Sequence, residues 1–140
     1  MIDLAAHNAY WPSFAKKICY RFGYDKIVAI TSGTEAADNA CQIAMKWSIK
    51  SKGIDPKECL VLGVGESYHG LGSQVRNLQD PSPKRDDYGI NSDKYMNVNP
   101  TTGDPLAYLD LDAMRRCLEQ HYQKVAAVIL EFLHATSRDI

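Results

Sequence analysis

The sequence lacks the features that mark several special classes of protein. No apolar run approaches the length needed to cross a membrane. The start, Met1 to Leu4, has neither the basic and apolar regions of a secretory signal nor the arginines of a transit peptide. The net charge of only -1 argues against a nucleic-acid partner held by bulk electrostatics. By default these absences predict a cytoplasmic protein that does not bind membranes.

Cysteine is scarce and forms no recognisable pattern. The four cysteines are Cys19, Cys41, Cys59 and Cys117. None forms a Cys-x-x-Cys pair, no histidine stands beside them at zinc-ligand spacing, and each lies in or beside an apolar segment. We therefore predict buried, reduced thiols and neither a metal site nor a disulfide.

Three compact apolar runs predict buried strands. They are Lys26–Thr31, Cys59–Val64 and Val125–Leu130. Unbroken apolar runs of this kind, rich in β-branched residues, are typical of strands covered on both faces of a parallel sheet. The stretch from Gly65 to Gly103 is rich in glycine, proline, asparagine, aspartate and serine and predicts a long irregular excursion.

Helical patterns separate these runs. A short helix is predicted from Ala15 to Phe22. A long helical segment is predicted to begin near Ser32 and to end at Gly53. A third helix should begin at Asp110. Strands that alternate with helices predict an α/β fold with a mostly parallel sheet and flanking helices. No internal domain boundary is visible, so residues 1–140 read as a single domain.

The turn that follows the first predicted strand suits an anion. Ser32, Gly33 and Thr34 are small residues at a predicted helix start, where amide N–H groups lack internal partners and the helix dipole is positive. Together they could hold a phosphate, with hydroxyl groups adding hydrogen bonds. A plain helix cap is the alternative. No Gly-Lys-Ser/Thr follows, and Tyr68 stands where a dinucleotide turn would need its third glycine.

The turn after the second predicted strand comes close to a nucleophile elbow. Ser67 would then be the nucleophile of a serine hydrolase, with His121 or His134 as its base. Two features oppose this alternative. His69 replaces the final glycine of such a turn, and the glycines that follow it make a poor helix start.

Two motifs decide between these possibilities. The first is Thr31-Ser32-Gly33-Thr34-Glu35-Ala36, continued along the helix by Ala40-Cys41 and Lys46-Trp47, and the second is Ser67-Tyr68-His69-Gly70. The chain resembles class III pyridoxal-phosphate-dependent aminotransferases, in particular the ornithine aminotransferases. The resemblance extends over about Asn8 to Glu131 and is strongest between Thr31 and Gly53.

The resemblance implies a cofactor, a fold and roles for several residues. The fold would be a partial large domain of a fold-type I pyridoxal-phosphate-dependent transferase. Ser32, Gly33 and Thr34 would bind the phosphate of pyridoxal 5'-phosphate, Tyr68 would lie against its ring, and His69 would support it. Glu131 would face the substrate. The partners would be an amino acid, with ornithine as the expected donor, and a 2-oxo acid, in a homodimer of the complete protein.

The resemblance also implies that essential parts are missing. The Schiff-base lysine and the aspartate that binds the pyridine nitrogen are expected beyond residue 140, so this chain supplies no catalytic residue. An N-terminal segment, later strands and a C-terminal small domain are expected to be absent as well. The isolated chain should be inactive. The alternative is a non-catalytic truncated protein that binds cofactor weakly or pairs with a complete relative. The sequence also departs from the family after Glu131, where Phe132-Leu133-His134-Ala135 follows.

Overall fold

The computed structural model describes residues 9–79, 89 and 92–133. The chain divides into two compact units, Met1–Ser32 and Gly33–Ile140, and each is described by itself. The prediction that residues 1–140 form one incomplete domain stays a prediction. Among the described residues, no helix is long and apolar enough to cross a membrane.

The first unit contains helix α1, Trp11–Phe22. It begins at Trp11 rather than at Ala15, because Pro12 suits a first turn in which no backbone N–H is needed. The helix ends as predicted at Gly23, which adopts a left-handed φ of 72° and donates its N–H to Cys19 O.

The predicted strand Lys26–Thr31 is wrong. Residues 26–30 form no strand, and Val28 is 71% exposed. A strand exists only where a neighbouring strand accepts its backbone hydrogen bonds, and the described sheet takes all its strands from the second unit. The β-branched composition of this run indicated burial, but composition cannot supply a pairing partner.

The second unit is built around a three-stranded parallel sheet. Its strands are β1 (Leu60–Leu62), β2 (Tyr95–Met96) and β3 (Val125–Val128), in the spatial order β2-β1-β3. Strands β1 and β3 confirm two of the predicted strands, but the predicted burial is complete only for β1, since in β3 only Val125 is buried and the next three residues are half-buried. Strand β2 and the 3₁₀ turn Val75–Leu78 correct the prediction of a wholly irregular segment after Gly65. A two-residue strand is too short to produce a recognisable sequence pattern.

Two helices flank this sheet. Helix α2, Gly33–Trp47, continues into a π-helical turn that ends at Gly53, where φ is 72°. Helix α3, Leu111–His121, begins as predicted at Asp110, whose carboxylate accepts the Ala113 N–H at 2.9 Å.

The apolar core has two parts, one on each face of β1. Val61 packs in a cluster with Cys41 of α2, whereas the adjacent Leu62 packs with Cys117 of α3. Successive strand residues point to opposite faces, so α2 and α3 cover opposite sides of the sheet. This layering confirms the predicted α/β class.

The predicted burial of the cysteines is confirmed for the three thiols of the second unit. Cys41, Cys59 and Cys117 are buried, Cys19 is half-buried, and all four are free thiols. Burial, with the nearby charge of Asp38 as a smaller cause, raises the pKa of Cys41 to about 11. Such a thiol stays protonated at neutral pH and behaves as a small apolar side chain.

Candidate functional site

The candidate site lies at the carboxyl edge of the sheet. Strands β1 and β3 run parallel, so their carboxyl ends meet at the same edge. In open α/β sheets this edge is where ligands usually bind. The segment 63–72, called here the β1 turn, leaves β1 at this edge, and Glu131 leaves β3 beside it.

Tyr68 and Glu131 are brought together by one hydrogen bond. The Tyr68 backbone N–H donates to Glu131 Oε2 at 2.8 Å, across 63 residues of sequence. The Tyr68 side chain is 50% exposed. The backbone is therefore anchored while the residue remains exposed enough for its ring to contact a flat ligand.

Ser67 and His69, the neighbours of Tyr68 in the β1 turn, form a pair. Ser67 is buried, its hydroxyl donates to Val64 O at 2.7 Å, and its Oγ lies 3.0 Å from His69 Nε2. A hydroxyl has a single proton, so with that proton on Val64 we assign the proton of the second bond to His69 Nε2. Burial lowers the pKa of His69, and the charge of Glu131 opposes this in part. His69 is thus a neutral imidazole that supports the turn.

This arrangement opposes the serine-hydrolase alternative. A nucleophilic serine must give its proton to a basic nitrogen. Here Ser67 gives it to a backbone carbonyl, and the neighbouring His69 nitrogen is a donor. His121 lies instead 3.3 Å from Thr101 Oγ1, and His134 is outside the described residues.

The start of α2 offers an open helix terminus. Gly33 is its first residue, and a Cβ built there would meet no atom within 4 Å. The first amide groups of a helix have no partner within it, so this open end can receive an anion. Ser32 is the last residue of the first unit, and its role stays a prediction.

Thr34 has a contact that the sequence did not indicate. Its hydroxyl oxygen accepts the Leu71 backbone N–H at 3.3 Å, which ties the first turn of α2 to the β1 turn. The hydroxyl was predicted to assist a phosphate. The hydroxyl oxygen already accepts a backbone N–H of the protein. The hydroxyl proton and the Thr34 backbone N–H can still be donated to a ligand.

Two further residues at this edge were missed from the sequence. Asp38 Oδ1 accepts the Val75 N–H at 3.2 Å, and the buried Gln79 side chain donates to Gly70 O. The spacing of Thr34 and Asp38, one helical turn apart, was a usable signal for Asp38. For Gln79 we find no signal in the sequence, because its partner is a backbone atom in a loop.

The titratable groups at this edge do not form a metal centre. Within residues 9–79, 89 and 92–133, no cluster of three His, Cys, Asp or Glu side chains could hold a metal ion.

Comparisons with known proteins identify what the chain is similar to. No family model matches the sequence. It is 30% identical over 127 residues to the ornithine aminotransferase of Emericella nidulans, covering 91% of this chain and 28% of that protein. It is also 30% identical over 131 residues to ornithine aminotransferase car2 of Schizosaccharomyces pombe, covering 91% and 29%. The chain thus spans less than a third of the length of these curated relatives.

Solved structures show the same fold. The ornithine aminotransferase of Toxoplasma gondii, described with partial occupancy of PLP at its active site, superposes with a TM-score of 0.76 at 21% identity, over 96% of this chain and 29% of that one. The acetylornithine aminotransferase of Elizabethkingia anophelis gives 0.66 at 21% identity, over 94% and 26%. With the sequence matches, these confirm the predicted resemblance to part of a class III pyridoxal-phosphate-dependent aminotransferase.

Proposed function

We propose that this chain is the phosphate- and ring-binding part of a pyridoxal-phosphate-dependent aminotransferase. The complete protein would move an amino group from an amino acid, with ornithine as the expected donor, to a 2-oxo acid. The observation that carries the proposal is that one sheet edge assembles the start of α2, Tyr68 and Glu131 through direct hydrogen bonds. In the sequence, these three lie dozens of residues apart.

The residues at this edge fit pyridoxal 5'-phosphate. The backbone N–H groups of Gly33 and Thr34 would hold its phosphate. Tyr68 would stack on its ring, and His69 would keep the turn beneath that ring in place. When bound, the cofactor supplies an electron sink for the carbon that carries the amino group.

Glu131 would act on the substrate side. A carboxylate offers about four acceptor positions, so its bond to the Tyr68 N–H is compatible with further bonds from a substrate amino group. Its charge would also favour a cationic amino group over a neutral one. Glu131 would then couple the position of Tyr68 to the presence of substrate.

Three described lysines of the second unit lie at the opposite edge of the sheet. Lys57, Lys94 and Lys124 each precede a parallel strand, which puts them at the amino edge. The Lys94 Nζ donates to Pro56 O at 2.7 Å, and the Lys124 Nζ lies 2.7 Å from Glu58 Oε1.

The other three described lysines of this unit are also remote from Tyr68. Lys46, Lys50 and Lys52 lie at or beyond the far end of α2. A helix of this length places them about 20 Å from its start. Among the described residues 33–133 we therefore assign the catalytic role to no lysine. The position of the Schiff-base lysine beyond residue 140, the homodimer and the cytoplasmic location stay predictions.

A cofactor titration tests the proposed binding. We expect the 140-residue chain to bind pyridoxal 5'-phosphate more tightly than pyridoxal, because the helix start recognises the phosphate. Tyr68→Leu should weaken pyridoxal 5'-phosphate binding by roughly 2- to 12-fold, the range expected for one aromatic stacking contact. Intrinsic fluorescence or calorimetry would report the affinity.

The matched control removes a tyrosine from the other edge. Tyr122 is 65% exposed and directly follows α3, so Tyr122→Leu should leave the affinity unchanged. Equal weakening by both variants, or none by Tyr68→Leu, would contradict the assignment of Tyr68. Reduction of the complex with borohydride should yield no single stoichiometric lysine adduct. Such an adduct would show that this chain does carry the reactive lysine.

A further inference from the structure

Two side chains on one face of α2 hold the β1 turn and the residues that follow it. Thr34 Oγ1 accepts the Leu71 N–H at 3.3 Å, and Asp38 Oδ1 accepts the Val75 N–H at 3.2 Å. Residues four apart on a helix lie one above the other on the same face. The chain segment 71–75 is therefore fixed along α2 at two points.

Two glycines make this close contact possible. A Cβ built on Gly70 would lie 2.7 Å from Thr34 Cα, and one built on Gly72 would lie 3.0 Å from Thr34 Cγ2 and 3.2 Å from Asp38 Cγ. Gly70 also has a φ of 106°, which side-chain-bearing residues rarely adopt. The backbone of the turn can lie against α2 only because both positions lack side chains.

Two other residues also form hydrogen bonds with the backbone of the turn. Gln79 donates its side-chain amide to Gly70 O and accepts the Glu66 N–H on its backbone oxygen at 3.0 Å. Glu131 holds the Tyr68 N–H at 2.8 Å. Tyr68 thus lies on a loop whose backbone is bonded before, at and after the tyrosine, so a shift of the loop against α2 must break several bonds at once.

We infer that Thr34 and Asp38 are positioning residues that fix Tyr68 relative to the open start of α2. The inference rests on the proposed function, because the start of α2 is the proposed phosphate site and Tyr68 is the residue proposed to stack on the cofactor ring. A ligand with a phosphate and a flat ring at a fixed separation gains affinity when both subsites are held at that separation in advance. Asp38 touches neither group and acts only through the turn.

Amide hydrogen exchange tests the contact without any cofactor. Asp38→Ala should speed exchange at Val75 and Leu71 by roughly two- to tenfold, the effect of losing one net hydrogen bond. Amides of β1 should exchange as in wild type. Asp38→Asn keeps an oxygen acceptor and should restore protection at Val75. The matched control is Asp112→Ala, which removes a first-turn carboxylate from α3 that pairs with Arg115.

A second pair of variants decides the matter if Asp38→Ala fails to fold. Thr34→Val keeps the shape of the side chain but removes the acceptor for Leu71, and Thr34→Ser restores it. Faster exchange at Leu71 in the valine variant only would support the inference. Wild-type exchange at Leu71 in Thr34→Val, or at Val75 in a folded Asp38→Ala, would overturn it.

Ligand binding separates a positioning role from a general structural one. Asp38→Ala should weaken pyridoxal 5'-phosphate binding by roughly two- to tenfold, in line with the loss of one net hydrogen bond. Inorganic phosphate reaches only the helix start, so its affinity should stay within twofold. Equal loss for both ligands would overturn the inference. If the wild-type chain binds no pyridoxal 5'-phosphate, the proposed function fails, and hydrogen exchange alone decides whether Thr34 and Asp38 hold the turn.

Discussion

The two edges of the same sheet are held by different kinds of bond. At the carboxyl edge, side-chain oxygens of Thr34, Asp38 and Glu131 accept backbone N–H groups from distant parts of the chain. At the amino edge, two bonds between distant parts of the chain come from lysine ammonium groups. Lys94 reaches Pro56 O, and Lys124 pairs with Glu58.

The difference shows which edge is built to hold a ligand in place. A backbone N–H that donates to a short side chain fixes the chain itself, because neither partner has much freedom left to lose. The Lys124–Glu58 pair has side chains that are 45% and 51% exposed, and long exposed pairs contribute about 0–1 kcal/mol. The carboxyl edge is therefore preorganised, whereas the ion pair at the amino edge is half-exposed and adds little to the stability.

The largest expected effect comes from filling the contact between α2 and the β1 turn. Gly70→Ala adds a Cβ that would lie 2.7 Å from Thr34 Cα at a φ of 106°. Left-handed strain of about 1 kcal/mol and overpacking of about 1–3 kcal/mol together predict a loss of roughly 2–4 kcal/mol in the free energy of unfolding. Urea denaturation would measure this loss.

Gly103→Ala is the matched control for strain alone. Gly103 has a φ of 76°, but a Cβ there would meet nothing within 4 Å. Its cost should stay near the strain contribution of about 1 kcal/mol. Equal losses for the two variants would show that the turn does not pack closely against α2.

A smaller effect is expected from pH. Burial lowers the pKa of His69 below its ordinary value of 6.5, with Glu131 opposing, so the unfolded chain binds the proton more readily than the folded one. The stability contributed by neutral His69 is present above pH 6.5 and is lost as the pH falls through the lowered pKa. His69→Gln should flatten the pH dependence of unfolding below pH 6.5, because glutamine can donate to Ser67 without titrating.

The pH experiment has a control on α3. His121→Gln removes a histidine that contacts Thr101 and not the β1 turn, so the pH dependence due to His69 should remain. The same slope in wild type and His69→Gln would contradict the assignment of His69 as a half-buried, neutral imidazole.

The smallest effect is expected at the amino edge. Lys124→Met removes the pair with Glu58 but keeps most of the aliphatic side chain. The free energy of unfolding should change by less than about 1 kcal/mol, and by still less at high salt. A loss of more than 2 kcal/mol would mean that this edge is as firmly held as the other, and the contrast would disappear.

Local patterns in the sequence predicted the elements that local contacts stabilise or that contribute side chains to the apolar core. The apolar runs became β1 and β3, and Asp110 caps α3 as expected. The approach of Tyr68 to Glu131 was implied by the family resemblance. It could not be worked out from spacing, because the two residues are 63 positions apart.

The wrong strand prediction and the residues missed from the sequence share one physical cause. Residues 26–31 have the composition of a strand, but pairing depends on a distant partner that no local pattern encodes. Asp38 and Gln79 bond to backbone groups of a loop, and a backbone group leaves no signature in the sequence. The glycines at 70 and 72 suggested only a poor helix start, while in the structure they allow the loop to lie on α2.

The most direct test of the account is a titration of the isotopically labelled chain with pyridoxal 5'-phosphate, followed by amide chemical shifts. We expect saturable shifts at Gly33, Thr34 and Tyr68, and none around Lys94 and Lys124 at the amino edge. Shifts confined to the lysines, or spread over both edges without saturation, would contradict the claim that the carboxyl edge is a cofactor site.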